Sequence, residues 1–334
     1  MLFAQHFDQL INVPGSVVRD ALDEIPNISL DADMDVAPSF DELLMAITRT
    51  QENIAPGGCG VPAEVWKHGG LRLKEKLHEL ILHIWREEVM PQKWKDANIV
   101  PIFRKGSKKE CGNYRGISLL SIAGKIMARV ILNRLEKYIS TRILPETQCG
   151  LLRNRSTIDI VFCLRQIQEK CTEQNMDLYA VFIDFTKTFD TVSREALWSV
   201  LKTFGCTDKV VNLVRELHDG MQAKVVQGKD ISSEFAVTNG VKQGCVLAPT
   251  LFSLYLTAML HVAFKDIHKG IYIQTSTLQI SSMSPTSRQN HEQQNTSSER
   301  CCLRTTMLWW LTLHRTYSCL LTDSQRLLPN SALR

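Results

Sequence analysis

The chain is poor in diagnostic composition. Its ten cysteines include no CxxC pair and no Cys/His grouping at zinc-ligand spacing, which argues against a zinc finger or zinc ribbon. The only neighbours, Cys301 and Cys302, sit too close together to chelate one metal easily. Scattered free thiols fit an intracellular protein, in cytoplasm or nucleus. The first ten residues, MLFAQHFDQL, carry neither a basic leader nor a sustained apolar run, so no signal peptide is expected. A net charge of +4 is too small to demand a polyanionic partner. Residues 245–264 are uncharged over about the length of a membrane span. Pro249, Ser253, Tyr255 and His261 interrupt that stretch, and a buried core helix explains it better, with no membrane partner.

What is present is ordinary globular material: 334 residues, 44% hydrophobic and 22% charged, enough for one large domain or two smaller ones. Residues 1–38 are mixed and acidic. Ser39 followed by Glu42 forms a capping box for a helix carrying Leu43, Leu44 and Ile47. APGGCGVPAE at 55–64 is a glycine and proline loop. From Leu71 to Trp85, Leu73, Leu77, Leu80, Ile81 and Ile84 recur at helical spacing. ANIVPIF at 97–103 is a β-type run; a basic, turn-rich segment follows, leading into a long amphipathic helix from SLLSIAGK onward. LYAVFID at 178–184 is a strand ending in an acid, followed by helices over SREALWSVLKTFG and residues 209–218. AKVVQG and EFAVTNG alternate as a hairpin pair ahead of an apolar helix beginning near Cys245. After about Thr275 the chain changes character, and most of residues 276–300 are polar without amphipathic period, which predicts disorder there.

Three segments carry chemistry. In VFIDFTKTFDTV, residues 181–192, Asp184 ends a strand and is open to two readings, a metal ligand or a structural acid. Asp190, just ahead of SREALW, reads as a helix cap. In TNGVKQGCVLAPTLF, residues 238–252, Lys242 and Gln243 lie beside backbone NH groups at a helix start and suit a phosphate or a base pair, although a glycine turn before a core helix explains the same letters. In the basic elements PIFRKGSKKE and GNYRGISLL, Arg104, Lys105 and Arg115 suit a triphosphate, against a plain reading as solvated charge.

The order of these segments, with QCGLLRNRSTID at 148–159 between them, resembles the reverse transcriptase of non-LTR retrotransposons, most of all the RTE type of LINE element. The resemblance runs from about Phe7 to Thr275. It implies an α+β right-hand polymerase: residues 1–60 as an extension leading into the fingers, 61–175 as fingers, 176–275 as an incomplete palm, no thumb, and 276–334 as an irregular tail. It implies template-directed DNA synthesis with an RNA template, a DNA primer, dNTP and two Mg²⁺ ions. By the same likeness Asp184 is the first metal ligand, with the backbone carbonyl of Phe185 beside it. Phe189 lies under the sugar and excludes ribonucleotides, Gln243 and Gly244 support template and incoming base, and Arg115 with Arg104 or Lys105 grips the triphosphate. Leu151 and Leu152 replace the usual Phe and Arg after QCG, and Ile54 and Cys59 depart from the family pattern around the glycine loop.

One family motif is missing. No Tyr/Phe-Ala-Asp-Asp follows the apolar helix, and the acids after Gly244 are Asp266, Glu292, Glu299 and Asp323, none adjacent to another. A shifted reading frame beginning near Thr275 is the expected cause. The codons of Trp309 and Trp310, TGGTGG, contain GTG in that frame, and Cys302 to Thr306 permit Phe-Ala-Asp-Asp. The expectation is a reverse transcriptase domain inactive as written. A nucleic-acid-binding remnant using Lys93, Lys95, Arg104, Lys105, Lys108 and Lys109, or an untranslated pseudogene product, is the alternative.

Overall fold

Phe7 and Ile11 are the buried residues of an amino-terminal helix, α1 (Leu2–Ile11), which the mixed sequence of residues 1–38 concealed. The computed structural model describes residues 2–12, 22–143, 156–183, 185, 187–265, 272–274 and 300–302. The next helix, α2 (Phe40–Thr48), starts at the expected capping box: Ser39 Oγ accepts from the Glu42 amide while Glu42 Oε2 accepts from the Ser39 amide at 2.8 Å. Two orphan donors of the first turn are thereby satisfied. After the short α3 (Ala63–His68), α4 (Leu71–Glu87) buries Leu77, Ile81, Ile84 and Trp85. Leu80, expected on that face, is 39% exposed.

A one-turn helix, α5 (Gln92–Lys95), delivers the chain into β1 (Ala97–Phe103). Here the structure corrects the sequence reading, because the basic segment does not run directly into a helix. It is the tip of a hairpin: β1 pairs antiparallel with β2 (Tyr114–Leu120), from Ala97↔Leu120 to Phe103↔Tyr114. Gly116 hides this strand from the eye, yet a Cβ there would lie 2.9 Å from the Phe7 ring, so the glycine lets α1 pack against the sheet. The long helix begins only after β2, as α6 (Ile122–Arg142), and buries Ile122, Ile126, Met127, Ile131 and Leu135. Arg134 ties α6 to α2 by donating from Nε and Nη2 to Glu42 at 3.0 and 2.9 Å and from Nη1 to the carbonyls of Met34 and Val36. Its guanidinium lies over the Trp85 ring.

The next helix, α7 (Thr157–Glu173), leaves Ile158, Val161 and Phe162 exposed. The expected strand at 178–184 does not form over its described residues. Residues 178–183 are irregular, and Tyr179, Val181, Phe182 and Ile183 are exposed. Strand propensity alone does not make a strand: the ladder hydrogen bonds need a neighbour, and among the described residues no strand pairs with this run. Helices α8 (Arg194–Thr203) and α9 (Asp208–Glu216) follow as expected.

The two alternating runs do pair. β3 (Gln222–Gln227) lies parallel to β1 and antiparallel to both β4 (Asp230–Ile231) and β5 (Phe235–Ala236). The sheet order is β2-β1-β3-β4, with β5 also on β3. The apolar helix α10 (Ala248–Phe264) starts three residues after Cys245 and is buried around most of its circumference, including Leu251, Leu254, Tyr255, Ala258 and Val262. No helix among the described residues is long and apolar enough to cross a membrane. One apolar core runs from Phe7 through the helices and sheet to Val262, giving a mixed α+β architecture. Beyond α10, β6 (Tyr272–Gln274) pairs antiparallel with β7 (Arg300–Cys302), so Arg300, the last residue of the polar tract expected to be disordered, is in a strand; residues 276–299 lie outside the described residues.

Candidate functional site

The glycines of TNGVKQG make the site possible. Gly240 has φ +75°, and a Cβ there would sit 2.7 Å from the Asp190 carbonyl oxygen and 2.8 Å from that of Phe189. That close approach is held by two backbone hydrogen bonds, from the Gly240 amide to the Val192 carbonyl at 2.9 Å and from the Val241 amide to the Phe189 carbonyl at 2.8 Å. Gly244, at φ +117°, packs against β2 so tightly that a Cβ would lie 2.4 Å from the Ser118 carbonyl oxygen. The Ser118 amide donates to the Gln243 carbonyl at 2.7 Å. Residues 240–244 are therefore clamped between β2 and the segment 189–192.

This clamp brings Gln243 to Asp190. Gln243 Nε2 donates to Asp190 Oδ2 at 3.0 Å. The sequence reading of Asp190 as a cap is overturned, because Ser193 caps α8, its hydroxyl accepting from the Ala196 amide. Burial raises the Asp190 pKa to about 6, against the opposing pull of Lys187, Arg115 and the Gln243 hydrogen bond. Lys187 itself has φ +52°, a left-handed backbone rare for a side chain of its size, and its carbonyl accepts from the Asp190 amide at 2.9 Å. The ring of Phe189 lies 5.4 Å from that of Phe252 in α10.

Behind Gln243 is a buried polar cluster that sequence reasoning missed. Arg194 is 5% exposed and donates to the carbonyls of Gly240, His218 and Val237 at 3.0, 2.8 and 2.8 Å. Burial lowers its pKa to about 10. A signal was available: a basic residue in the first turn of a helix opposes the helix dipole, which favours acids there, so Arg194 needs another reason to be at that position. Lys242, for which a phosphate or base-pair contact stood beside a plain glycine turn before a core helix, is buried and donates to the Lys95 carbonyl at 2.6 Å, its pKa pushed down to about 7 by burial. Lys95 is likewise withdrawn from solvent by its ion pair with Glu216 at 2.7 Å, so it leaves the set of phosphate-facing cations. His218 is fully buried, and burial followed by Lys242 and Arg194 lowers its pKa well below the usual imidazole value. A cavity of about 20 Å³ opens among Ser118, Asp190, Arg194, Asn239, Lys242 and Gln243, large enough for one water molecule. Gln243 Oε1 and Arg194 Nη2 are buried without a hydrogen-bond partner among the described residues.

Of the expected site residues, Phe189, Gln243 and Gly244 come together, and the charge of Arg115 on β2 is felt at Asp190. Arg104 and Lys105 are exposed at the hairpin tip beyond Phe103 and Tyr114. Asp184 lies outside the described residues. The Phe185 carbonyl accepts from Thr188 Oγ1 at 3.2 Å. Among the described residues, which do not include Asp184, no three His, Cys, Asp or Glu side chains converge to hold a metal ion.

The sequence profile of the reverse transcriptase (RNA-dependent DNA polymerase) family matches residues 104–296, more than half of the chain. The chain belongs to that family. The match opens at Arg104 on the hairpin tip, takes in the whole Phe189–Gln243 clamp, runs past Thr275 and stops before Cys301. The reverse transcriptase domain is of the non-LTR retrotransposon kind, as its relatives indicate. It is 25% identical over 263 residues to the transposon TX1 uncharacterized 149 kDa protein of Xenopus laevis, covering 77% of this chain and 20% of that protein. It is 26% identical over 272 residues to the RNA-directed DNA polymerase from mobile element jockey of Drosophila funebris, covering 77% and 29%. To the probable RNA-directed DNA polymerase from transposon BS of Drosophila melanogaster it is 33% identical over 174 residues, covering 52% and 19%. The chain thus spans less than a third of the length of these relatives. Reverse transcriptases use divalent metal ions.

Proposed function

We propose that this chain carries the fingers and part of the palm of an RNA-directed DNA polymerase, with residues 61–175 as fingers and 176–275 as palm, and that it is inactive as written. The observation supporting the substrate side is the clamp that brings Phe189, Gln243 and Gly244 together, with the charge of Arg115 acting on the Asp190 to which Gln243 is bonded. On this reading Phe189, backed by Phe252, lies under the sugar and excludes a 2′-OH. Gln243 and Gly244 support the template base and incoming dNTP, and Arg115 with Arg104 or Lys105 grips the triphosphate. An RNA template paired to a DNA primer crosses the same face.

The inactivity follows from the acids. Asp184, with the Phe185 carbonyl, is a single carboxylate ligand, whereas two Mg²⁺ ions held for an in-line displacement require several converging oxygens. After Gly244 no two acids are adjacent in the sequence. A frame shifted near Thr275 would place Phe-Ala-Asp-Asp at Cys302–Thr306, just beyond the end of the family match at residue 296.

Primer extension on an RNA template tests both halves, using the chain as written and a version whose residues after Thr275 are recoded in the shifted frame. The expected result is salt-sensitive RNA binding without extension for the first and extension for the second. Extension by the chain as written that Asp184→Ala abolishes would refute the inactivity. Genomic codons unable to spell Asp-Asp in the shifted frame would refute the frameshift.

A further inference from the structure

We infer that Asp190 is a positioning residue for Gln243, and that its carboxyl decides which end of the Gln243 amide faces the cavity. The argument starts from donors and acceptors. An ionised carboxylate only accepts, so its neighbour must offer the amide NH₂, as in the 3.0 Å contact from Gln243 Nε2 to Asp190 Oδ2. The amide has two ends about a fixed axis, so this choice leaves Oε1 on the cavity side, where it is buried without a partner.

One proton reverses the arrangement. A carboxylic acid at Asp190 has an O–H to donate, the amide rotates by half a turn, Oε1 accepts that proton's hydrogen bond, and the NH₂ now faces the cavity. The net change is one proton taken from solvent, with no covalent bond altered elsewhere. Among the described residues, the charged groups around Asp190 are Lys187 on its own loop, Arg115 on β2, and Arg194 and Lys242 across the cavity. Lys187 and Arg115 favour the carboxylate, and burial favours the acid, which sets the two forms near balance around pH 6. The backbone on both sides is fixed by the Gly240 and Gly244 contacts, so rotation of the amide is the degree of freedom left to the pair.

The consequence for recognition rests on the reading of Gln243 as the residue that supports template and incoming base. The wall it presents is an acceptor when Asp190 is ionised and a donor when Asp190 is protonated. The geometry itself is testable without nucleic acid or turnover, so a chain that fails every polymerase assay still decides it.

The experiment is nuclear magnetic resonance on the full chain labelled with ¹⁵N at glutamine side chains, the Gln243 amide being assigned by its absence in Gln243→Leu. In the wild type the Gln243 NH₂ resonances shift with a midpoint near pH 6, and in a folded Asp190→Asn variant they do not titrate. Lys187→Gln, which removes a cation favouring the carboxylate, moves the midpoint to higher pH, and this arm stands even where Asp190→Asn does not fold. A Gln243 amide that stays flat between pH 4.5 and 8 in the wild type, an identical titration in Asp190→Asn, or an unmoved midpoint in Lys187→Gln overturns the inference.

Discussion

Replacing Arg194 by methionine tests the buried polar cluster most directly, because it keeps the aliphatic bulk and removes only the guanidinium. Three buried carbonyls, those of Gly240, His218 and Val237, lose their donor at once. A hydrogen bond to a charged group contributes about 1.5–3 kcal/mol, so three contribute roughly 6 kcal/mol. Against this stands the cost of burying the cation: a pKa lowered from 12.5 to about 10 corresponds to about 3 kcal/mol, which the substitution returns. The balance is a loss of about 3 kcal/mol, read as a fall of roughly 6–12 °C in melting temperature for a domain of this size. The assay is thermal unfolding followed by circular dichroism, with the urea midpoint as a second measure. A loss below about 1 kcal/mol would show that the three carbonyls find other donors and that Arg194 does not hold the 237–240 segment.

Gly244→Ala forces a Cβ to within 2.4 Å of the Ser118 carbonyl at a backbone angle of +117° and is expected to cost about 2 kcal/mol or more, measured by the same melts; an unchanged melting temperature would contradict the clamp. Lys242 has its pKa lowered from 10.5 to about 7, so its contribution to stability is complete above pH 10.5 and is lost as pH falls through 7. Lys242→Met should therefore improve, relative to wild type, by about 3 kcal/mol more at pH 6 than at pH 9, and an equal difference at the two pH values would sink that assignment. Changing Arg104 and Lys105 together to glutamine should lower the salt dependence of RNA binding by about one to two phosphate contacts, checked by titrations at several salt concentrations; an unaltered slope would remove the hairpin tip from the interface. In the chain recoded after Thr275, Phe189→Val should raise ribonucleotide incorporation by at least about tenfold in single-nucleotide extension, and unchanged selectivity would take Phe189 from beneath the sugar.

Helices with their own start signals and periodicity were legible in the sequence. Ser39 and Glu42 marked the start of α2, and the spacing of Leu77, Ile81 and Ile84 marked α4, because these depend on residues within a few turns of one another. β1 was readable from its own letters, and β2 was not, since Gly116 serves a contact with Phe7, more than a hundred positions away. The run at 178–183 shows the converse, strong β-type letters left irregular for want of a partner among the described residues. Phe189, Gln243 and Gly244 were singled out through family likeness, and the fold brings them together. The role of Asp190 was misread and the burial of Arg194 and Lys242 was missed, because charge in a sequence suggests solvent until the fold supplies carbonyls to receive it.

The exposed run of Tyr179, Val181, Phe182 and Ile183 bears on how this protein behaves at high concentration. Six uncharged residues, 178–183, without proline or glycine form a segment that strands of neighbouring molecules can extend, whatever the strength of the core beneath. Solubility and folding stability are therefore separate properties here. A lysine in place of Phe182 should raise the concentration at which the protein precipitates.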